Sequence, residues 1–317
     1  MIEKARFSGA ITRSTSTKQR YLRRVETLLN AAARELRRSE ENLDQAVASI
    51  SPIQLVEWLI RRKPGWTSST WRQYKASTMY YLEQHLDKDP AYGQALNALM
   101  EITSFGCLPR RAGGTSARKA KQIREDHHKR LVLRLRNMRG AWGPRAALMF
   151  EASVCAGLRP SEWEQAQLVP GRGLRVKNAK ATNGRANGEY RVIPLAPEEE
   201  AVVGRNIKEI ASWMQTDGRR FHVYHAMTSL AIYRVVSREF RKMKEQRRRY
   251  TLYTARHQFC ANMKNLHDPE GVADLMGHGS IETAGHHYGR RSHGWLKYKV
   301  QRKRGATPAQ AAAGSQE

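Results

Sequence analysis

The chain has 317 residues, with 56 Lys or Arg against 29 Asp or Glu, so its formal charge is +27. A charge this large is self-repelling unless a polyanion neutralises it. Nucleic acid is the usual partner, although an ordinary basic surface is the simpler alternative. No run of about 18 apolar residues is present, and the N-terminal segment lacks the apolar core of a signal peptide, so a cytoplasmic protein with no membrane partner is expected. The three cysteines are far apart and fit neither a disulfide framework nor a zinc site.

The first third of the chain is predicted to be helical. Apolar residues recur at helical spacing in four segments, which begin near Thr15, Ser51, Ser68 and Pro90. Ser51 caps its helix, and the proline that follows suits a first helical turn. Residues 1 to 103 are therefore predicted to form a small helical bundle.

The third helical segment carries Trp71, Tyr74 and Tyr81 at a spacing that places them on one face. These aromatic side chains are predicted to belong to the core, and a DNA-facing stripe is the alternative. Basic residues near them are predicted to contact phosphates instead. These are Arg61, Arg62, Lys63, Arg72 and Lys75.

Residues 104 to 121 combine a proline, a glycine pair, small polar residues and several basic side chains, which is typical of a linker. The charge suggests a linker that crosses a DNA backbone, and a connection that touches nothing is the alternative. The DNA contacts predicted here are Arg110, Arg111, Arg118 and Lys119.

Residues 122 to 304 are predicted to form a mainly α-helical domain with a small antiparallel β element, an α+β arrangement. Helical periodicity covers residues 123–138, 144–157, 198–215, 227–244, 253–266 and 271–276. The two convincing strands, Leu174–Val176 and Tyr190–Leu195, predict a hairpin with a long Asn- and Gly-rich tip. Residues 305 to 317 are of low complexity and are predicted to be a disordered tail.

Four polar residues in this domain have the chemistry needed to cut a phosphodiester. Arg159 follows a helix-ending glycine, Arg256 lies on a separate helix, His278 lies in a turn, and Tyr288 follows that turn. Two guanidiniums from different elements can clamp one phosphate by forked hydrogen bonds. The sequence contains no cluster of Asp, Glu or His with ligand spacing, so a reaction without metal or cofactor is predicted.

These residues occur in an order that resembles the tyrosine recombinases, the phage-integrase family of site-specific recombinases. The family pattern has a Gly-Leu-Arg-x-x-Glu turn, a hairpin lysine, a His-x-x-Arg-His helix, a Leu-Gly-His turn and a tyrosine about nine residues later. The matching segments, besides the hairpin, are Gly157–Glu162, Tyr253–His257, Met276–His278 and Tyr288–Arg290. The resemblance covers about residues 122 to 292, and it is only architectural over the N-terminal helices. It implies that residues 1 to 103 are a core-DNA-binding domain.

The resemblance implies a role for each residue. Tyr288 would be the nucleophile that forms a 3′-phosphotyrosyl bond and releases a 5′-hydroxyl. Arg159 and Arg256 would hold the scissile phosphate, and His278 would donate a hydrogen bond to a nonbridging oxygen.

A hairpin lysine would protonate the leaving oxygen. Lys180 is assigned to this role because it leads into the tip of the hairpin, and Lys177 is the alternative. Glu162, three residues after Arg159, is expected to orient a guanidinium or to cap a helix.

Two departures from the family pattern concern the nucleophile. Tyr253 stands where the family has histidine, and a phenol can bind a phosphate but is a poor base near neutral pH. The proton acceptor is then water or His257, unless His257 only packs. Tyr288 lies ten residues after His278, and a loop at Gly285–His287 is expected to absorb the extra residue.

The family likeness implies a nucleoid-associated recombinase or integrase of a mobile genetic element. Its expected partner is double-stranded DNA with specific recombination sites, bound by a homotetramer and by accessory DNA-bending proteins. Two other functions remain open: a DNA-binding protein of the same fold that no longer cuts, and a topoisomerase-like enzyme that relaxes DNA.

Overall fold

The computed structural model describes residues 13–36, 42–109, 119–179, 188–217, 220–240 and 249–303. The chain divides into two compact units, and the division falls between Gly114 and Thr115, inside the predicted linker. Within the described ranges, no helix is both long and apolar enough to cross a membrane.

The N-terminal unit consists of helices. They are α1 (Thr15–Leu36), α2 (Leu43–Ala48), α3 (Pro52–Arg62), a 3-10 turn (Lys63–Gly65), α4 (Ser68–Glu83) and α5 (Pro90–Glu101). The four predicted helices are present. The sequence analysis missed α2, because six residues are too few to show a helical period. Its N-terminus is marked instead by Asn42, whose side chain accepts hydrogen bonds from two backbone amides of the first turn.

The core of the N-terminal unit contains the tryptophan of the predicted aromatic face. Trp71 is 1% exposed and packs with Leu59 and Leu82, while Tyr74 and Tyr81 are partly buried against the same cluster. The prediction that these aromatic residues belong to the core is confirmed. Their burial aligns α4 against the other helices of the bundle.

The C-terminal unit is mainly helical, with one small sheet. Its elements are α6 (Glu125–Arg136), α7 (Trp142–Ala156), a 3-10 helix (Pro160–Gln165), β1 (Gln167–Val169), β2 (Gly173–Lys177), β3 (Tyr190–Ile193), α8 (Pro197–Asp217), α9 (Phe221–Glu239), α10 (Leu252–Met263), α11 (Pro269–Met276), α12 (Ile281–His287), a 3-10 turn (Arg291–His293) and α13 (Leu296–Lys303). The three strands form one antiparallel sheet in the order β1-β2-β3. The predicted fold class is confirmed.

Helix α7 is the centre of this unit, because it contacts α6, α8, α9 and α10. It presents fully buried residues such as Met149 and Phe150 to these neighbours. Because α7 is enclosed on several sides, the turn at its C-terminus is held in a fixed position. The residues of the candidate site begin at that turn.

Both described ends of the predicted linker pair with their own unit. The Leu108 amide donates to the Trp66 carbonyl at 2.9 Å, and the Ala120 amide donates to the Arg249 carbonyl at 3.0 Å. Leu108 and Ala120, which were predicted to belong to the linker, are thus each hydrogen-bonded to their own unit. The central part of the predicted linker, residues 110–118, lies outside the described residues.

Candidate active site

The first part of the site is a turn at the C-terminus of α7. Gly157 ends the helix with a left-handed backbone (φ 62°), and a Cβ at this position would overlap the ring of Phe259 on α10. Glycine is therefore required here both by conformation and by space. The chain then bends so that Arg159, 7% exposed, lies between α7 and the following 3-10 helix.

A second turn, at the C-terminus of α11, uses the same device. Gly277 is left-handed (φ 61°) and packs against Asn178 and Arg191, where any Cβ would overlap their side chains. The amide of the next residue, His278, donates back to the Ala273 carbonyl at 2.9 Å. This helix-ending turn fixes the direction in which His278 leaves the helix.

Arg256 on α10 joins the two turns and is fully buried. Its Nη1 donates to the Gly157 carbonyl and its Nη2 to the Met276 carbonyl, each at 2.6 Å. Its Nε donates to the Tyr288 hydroxyl at 3.2 Å, and Nη2 also lies 3.3 Å from Nε2 of His278. One guanidinium therefore holds the ends of two helices, the predicted nucleophile and the histidine.

The protonation state of His278 follows from this hydrogen bond. Because a guanidinium only donates, Nε2 of His278 is the acceptor and the ring proton is on Nδ1. Burial, together with the charges of Arg256, Arg159 and Arg191, lowers the pKa of His278 to about 3, against a smaller opposing effect of Glu162. The buried Nδ1 has no hydrogen-bond partner among the described residues. A neutral imidazole thus carries a spare N–H donor.

Arg256, His278, Arg159, Glu162 and Arg191 contact one another and form one cluster. Tyr288 reaches this cluster from the end of α12. Its ring centroid lies 4.9 Å from that of His278 and 4.8 Å from that of His257. The predicted loop at Gly285–His287 is wrong, since those residues belong to α12. The extra residue is accommodated by the helix together with the extended backbone of Tyr288 (φ −109°, ψ 176°).

Glu162 is the anion at the centre of three guanidiniums. Its carboxylate accepts from Arg159 Nη1 at 2.6 Å, from the Arg159 amide at 2.8 Å and from Arg191 Nη2 at 2.7 Å, and Arg256 Nη1 lies 3.7 Å away. Burial alone would raise the pKa of Glu162, but the hydrogen bond and charge of Arg191, with the charges of Arg256 and Arg159, lower it to about 2. Three buried cations against one anion leave an excess of positive charge.

The sequence analysis missed Arg191, which is 8% exposed. The signal for it was the two-residue alternation of the hairpin. In the register of the sheet, Leu174 pairs with Ile193 and Val176 pairs with Arg191, and these four residues occupy the buried face. A charged residue at an inward strand position predicts a buried ionic partner.

The two candidate lysines differ in what the structure shows. Lys177 is on the exposed face of β2, opposite to Arg191, and forms an ion pair with Glu189 at 3.4 Å. Lys180 lies outside the described residues. The chain before it does contact the cluster, since the Ala179 amide donates to Glu162 Oε1 at 3.3 Å.

Tyr253 takes no part in the hydrogen bonds and ion pairs that join the residues of the cluster. It is 38% exposed, and the ammonium of Lys119 lies 5.2 Å from its ring centroid. His257, one turn further along α10, instead packs against Tyr288. Burial and the charges of neighbouring Lys and Arg residues lower the pKa of His257 to about 4, and its buried Nδ1 has no partner among the described residues.

The predicted DNA contacts of the N-terminal unit have different surroundings. Arg61 and Arg72 are exposed, and Arg62 lies 3.7 Å from Glu35. Lys63 lies 5.5 Å from the ring centroid of Trp71. Lys75 donates to the carbonyls of Met100 and Ile102, each at 2.8 Å, so two of its three donors cap the C-terminus of α5. Arg110, Arg111 and Arg118 lie outside the described residues.

Among the described residues, no group of three His, Cys, Asp or Glu side chains is placed to hold a metal ion.

Comparison with known proteins gives matches to solved structures alone. No protein-family model and no curated protein sequence matches the chain. The structural matches are tyrosine recombinases and integrases. The Tn1549 transposon integrase in complex with transposon right-end DNA is 14% identical, with 87% of this chain and 98% of that chain covered and a TM-score of 0.46.

Two further matches are of the same kind. A lambda integrase tetramer bound to a Holliday junction is 16% identical, with 90% of this chain and 75% of that chain covered and a TM-score of 0.46. The XerA recombinase is 12% identical, with 92% of each chain covered and a TM-score of 0.37. At these values the chemistry has to be read from the contacts within the site.

Proposed function

We propose that this chain is a site-specific tyrosine recombinase that cuts and rejoins DNA through a 3′-phosphotyrosyl bond. The observation that carries the proposal is the hydrogen bond from the buried Arg256 Nε to the hydroxyl of Tyr288. The hydroxyl of a potential nucleophile thus lies beside a guanidinium that also contacts His278, in the same buried cluster as Arg159. These four residues come from separate elements of the fold, and packing alone gives no reason to collect them.

The excess positive charge of the cluster suits a phosphodiester. Buried cations without matching anions are costly, and an incoming phosphate would neutralise one of them. Arg159 is suited to bind the phosphate, because its Nη2 makes only a long 3.4 Å hydrogen bond to the Gly277 carbonyl. The spare Nδ1–H of His278 is a second donor for a nonbridging oxygen. Preorganised donors of this kind stabilise the negative charge that develops on the nonbridging oxygens in the transition state.

In the proposed reaction, the oxygen of Tyr288 attacks phosphorus as the bond from phosphorus to the 5′ oxygen breaks. The adjacent guanidinium of Arg256 stabilises the negative charge on the tyrosine oxygen. The phenolic proton passes to His257, which packs on the ring, or to water. Rejoining is the reverse: a 5′-hydroxyl attacks the 3′-phosphotyrosyl bond and Tyr288 regains its proton.

The leaving 5′ oxygen needs a proton, and we assign its donor to Lys180. Lys177 faces away from Arg191 and pairs with Glu189, whereas the residue before Lys180 donates its amide to Glu162. The last described residue before Lys180 therefore contacts the cluster.

The proposed partner is double-stranded DNA with specific recombination sites. Exchange between two duplexes requires four strand cuts, and each cut needs one tyrosine, so we propose a homotetramer assembled on DNA. Accessory DNA-bending proteins and a role in a mobile genetic element belong to the same proposal.

A second candidate is a DNA-binding protein of the same fold that does not cut. It is favoured by the position of Tyr253, which lacks the basicity of histidine and lies under Lys119.

Covalent trapping distinguishes these functions. The probe is a pool of nicked duplexes with a randomised centre, in which a cut releases a short fragment and leaves the protein attached. We expect the wild type to retain DNA after denaturation and Tyr288→Phe to retain none while binding the pool equally well. Tyr233→Phe, which removes an exposed hydroxyl on α9, is the matched control and is expected to trap DNA normally.

Two results would contradict the proposal. Trapping by Tyr288→Phe would assign the nucleophile elsewhere, and binding without trapping by the wild type would support the non-cutting protein. Relaxation of a supercoiled plasmid without exchange between recovered sites would instead indicate a topoisomerase-like enzyme.

A further inference from the structure

Arg191, like Arg256, donates from all three of its guanidinium nitrogens to protein groups. Nε donates to the Leu275 carbonyl at 3.0 Å, Nη2 donates to Glu162 Oε2 at 2.7 Å, and Nη1 donates to Asn178 Oδ1. Arg256 donates to the hydroxyl of Tyr288, whereas the acceptors of Arg191 include neither Tyr288 nor His278 among the described residues. Its contribution must come through the residues that it holds.

One of those residues is Glu162, which divides its two oxygens between neighbours. Oε2 receives Arg191, and Oε1 receives Nη1 of Arg159 at 2.6 Å. The charge of Arg191 also keeps this buried carboxylate ionised, which a strong hydrogen bond from Arg159 requires. The orientation of Arg159 thus depends on Arg191 through a single carboxylate.

Arg191 also holds the turn that carries His278. The Leu275 carbonyl is in the last turn of α11, and Gly277 packs directly on the guanidinium of Arg191 and on Asn178. Asn178 is itself fixed at the end of β2, because its side-chain amide donates to the Gly188 carbonyl at 3.0 Å. Sheet and helix end are therefore joined at Arg191.

We propose that Arg191 is a positioning residue, which holds Arg159 through Glu162 and His278 through the end of α11 so that both meet the same phosphate. The proposal rests on the proposed function. It predicts that loss of Arg191 slows the cleavage step while DNA affinity, which comes from many phosphate contacts, changes little.

The test uses single-turnover cleavage of the nicked duplexes recovered with the wild type. Arg191→Met is expected to cleave on the order of 100-fold more slowly, the loss typical of a small misplacement of catalytic groups, with an affinity within about 3-fold of the wild type. Arg175→Met, on the exposed face of the same hairpin, is the matched control and is expected to cleave at the wild-type rate.

A pH profile separates positioning from general damage to the fold. The charged and titratable groups that face Glu162 are Arg159 in its own turn, Arg191 on β3, Arg256 on α10 and His278 after α11. In Arg191→Met the carboxyl loses its principal partner, so we expect an acid limb above about pH 5 that the wild type lacks.

Two further variants complete the design. Arg191→Lys keeps the charge but can reach fewer acceptors, so it is expected to cleave at an intermediate rate without the new acid limb. Adding Glu162→Gln to Arg191→Met removes the titrating group, and the acid limb should disappear. Arg191→Lys also provides the measurement if Arg191→Met does not fold.

The inference is overturned if Arg191→Met cleaves like the wild type, or if its rate and DNA affinity fall together with an unchanged pH profile. These results leave the proposed function intact as long as the wild type cleaves. Absence of wild-type cleavage would instead contradict the proposed function itself.

Discussion

His278 shows at the scale of one residue how the cluster selects a protonation state. Burial and the charges of three nearby guanidiniums lower its pKa to about 3, so the folded protein holds a neutral imidazole where free histidine would titrate near pH 6.5. A neutral ring can still donate from Nδ1. In the proposed reaction it acts as a hydrogen-bond donor to phosphate and not as an acid.

This protonation state can be measured by nitrogen-15 NMR. We expect His278 to remain neutral, with the proton on Nδ1, from pH 5 to pH 8, and its signals to be identified by their loss in His278→Gln. The same protein unfolded in urea is the reference, in which histidine titrates near pH 6.5. A folded-state titration of His278 between pH 6 and pH 7 would contradict the hydrogen-bond arrangement with Arg256.

The β2–β3 hairpin is the element that bears on the choice between the two lysines. Strand residues alternate between faces, so Lys177 and Arg191 lie on opposite sides of the sheet. The exposed face carries Lys177 with Tyr190, and the buried face carries the contacts to Glu162. This geometry favours Lys180, the next lysine along the chain.

A substrate with sulfur in place of the bridging 5′ oxygen tests this assignment. Thiolate leaves without a proton, so a variant that lacks the general acid should regain activity on this substrate. We expect Lys180→Ala to cleave ordinary DNA about 10²- to 10⁴-fold more slowly and the sulfur substrate at a rate close to that of the wild type. Lys177→Ala is the matched control and should cleave both normally. The reverse result would assign the acid to Lys177.

Long helices with recognisable residues at their ends were predictable from the sequence. Helix α7 has a sustained apolar period and a glycine stop, and the structure ends it at Gly157 as predicted. Four short elements, α2, β1, α12 and α13, were not predicted, because so few residues give only a weak period, although the similarly short α11, β2 and β3 were predicted. The helix predicted over residues 227–244 begins earlier, at Phe221, because its first turns carry polar histidines that obscure the pattern.

The contacts within the candidate site were predictable only between residues that are close in sequence. Glu162 is three residues from Arg159, and that pairing was anticipated. The contacts of Arg191 with Leu275 and Asn178 join residues far apart in the chain, and a single sequence contains no signal for such pairing. The position of Tyr253 under Lys119 was unpredictable for the same reason.

At the scale of the whole molecule, buried neutral histidines link stability to pH. Burial, with nearby positive charge, lowers the pKa of His128 and His257 to about 4 and that of His278 to about 3. All three values lie below the unfolded value, near 6.5, so the unfolded chain binds more protons. Stability is complete above about pH 6.5 and is lost as the pH falls towards 4.

Calorimetry at fixed ionic strength tests this linkage. Between pH 7 and pH 5 we expect the free energy of unfolding to fall by roughly 1–2 kcal/mol for each of the three histidines, with a Tm lower by several degrees. His128 packs between the rings of Phe150 and Trp295, so His128→Phe should fold and should reduce the pH dependence. A Tm that is constant between pH 5 and pH 7 would contradict the burial of neutral imidazoles.

The claim that Tyr288 forms the bond to DNA is tested most directly by locating that bond. Covalent complexes trapped on nicked duplexes are digested with nuclease and protease, the modified peptide is sequenced by mass spectrometry, and the free DNA ends are labelled. The account predicts a nucleotide attached through its 3′-phosphate to Tyr288 and a free 5′-hydroxyl on the other side of the cut. An adduct on any other residue, or a phosphotyrosyl bond to the 5′ end, would contradict it.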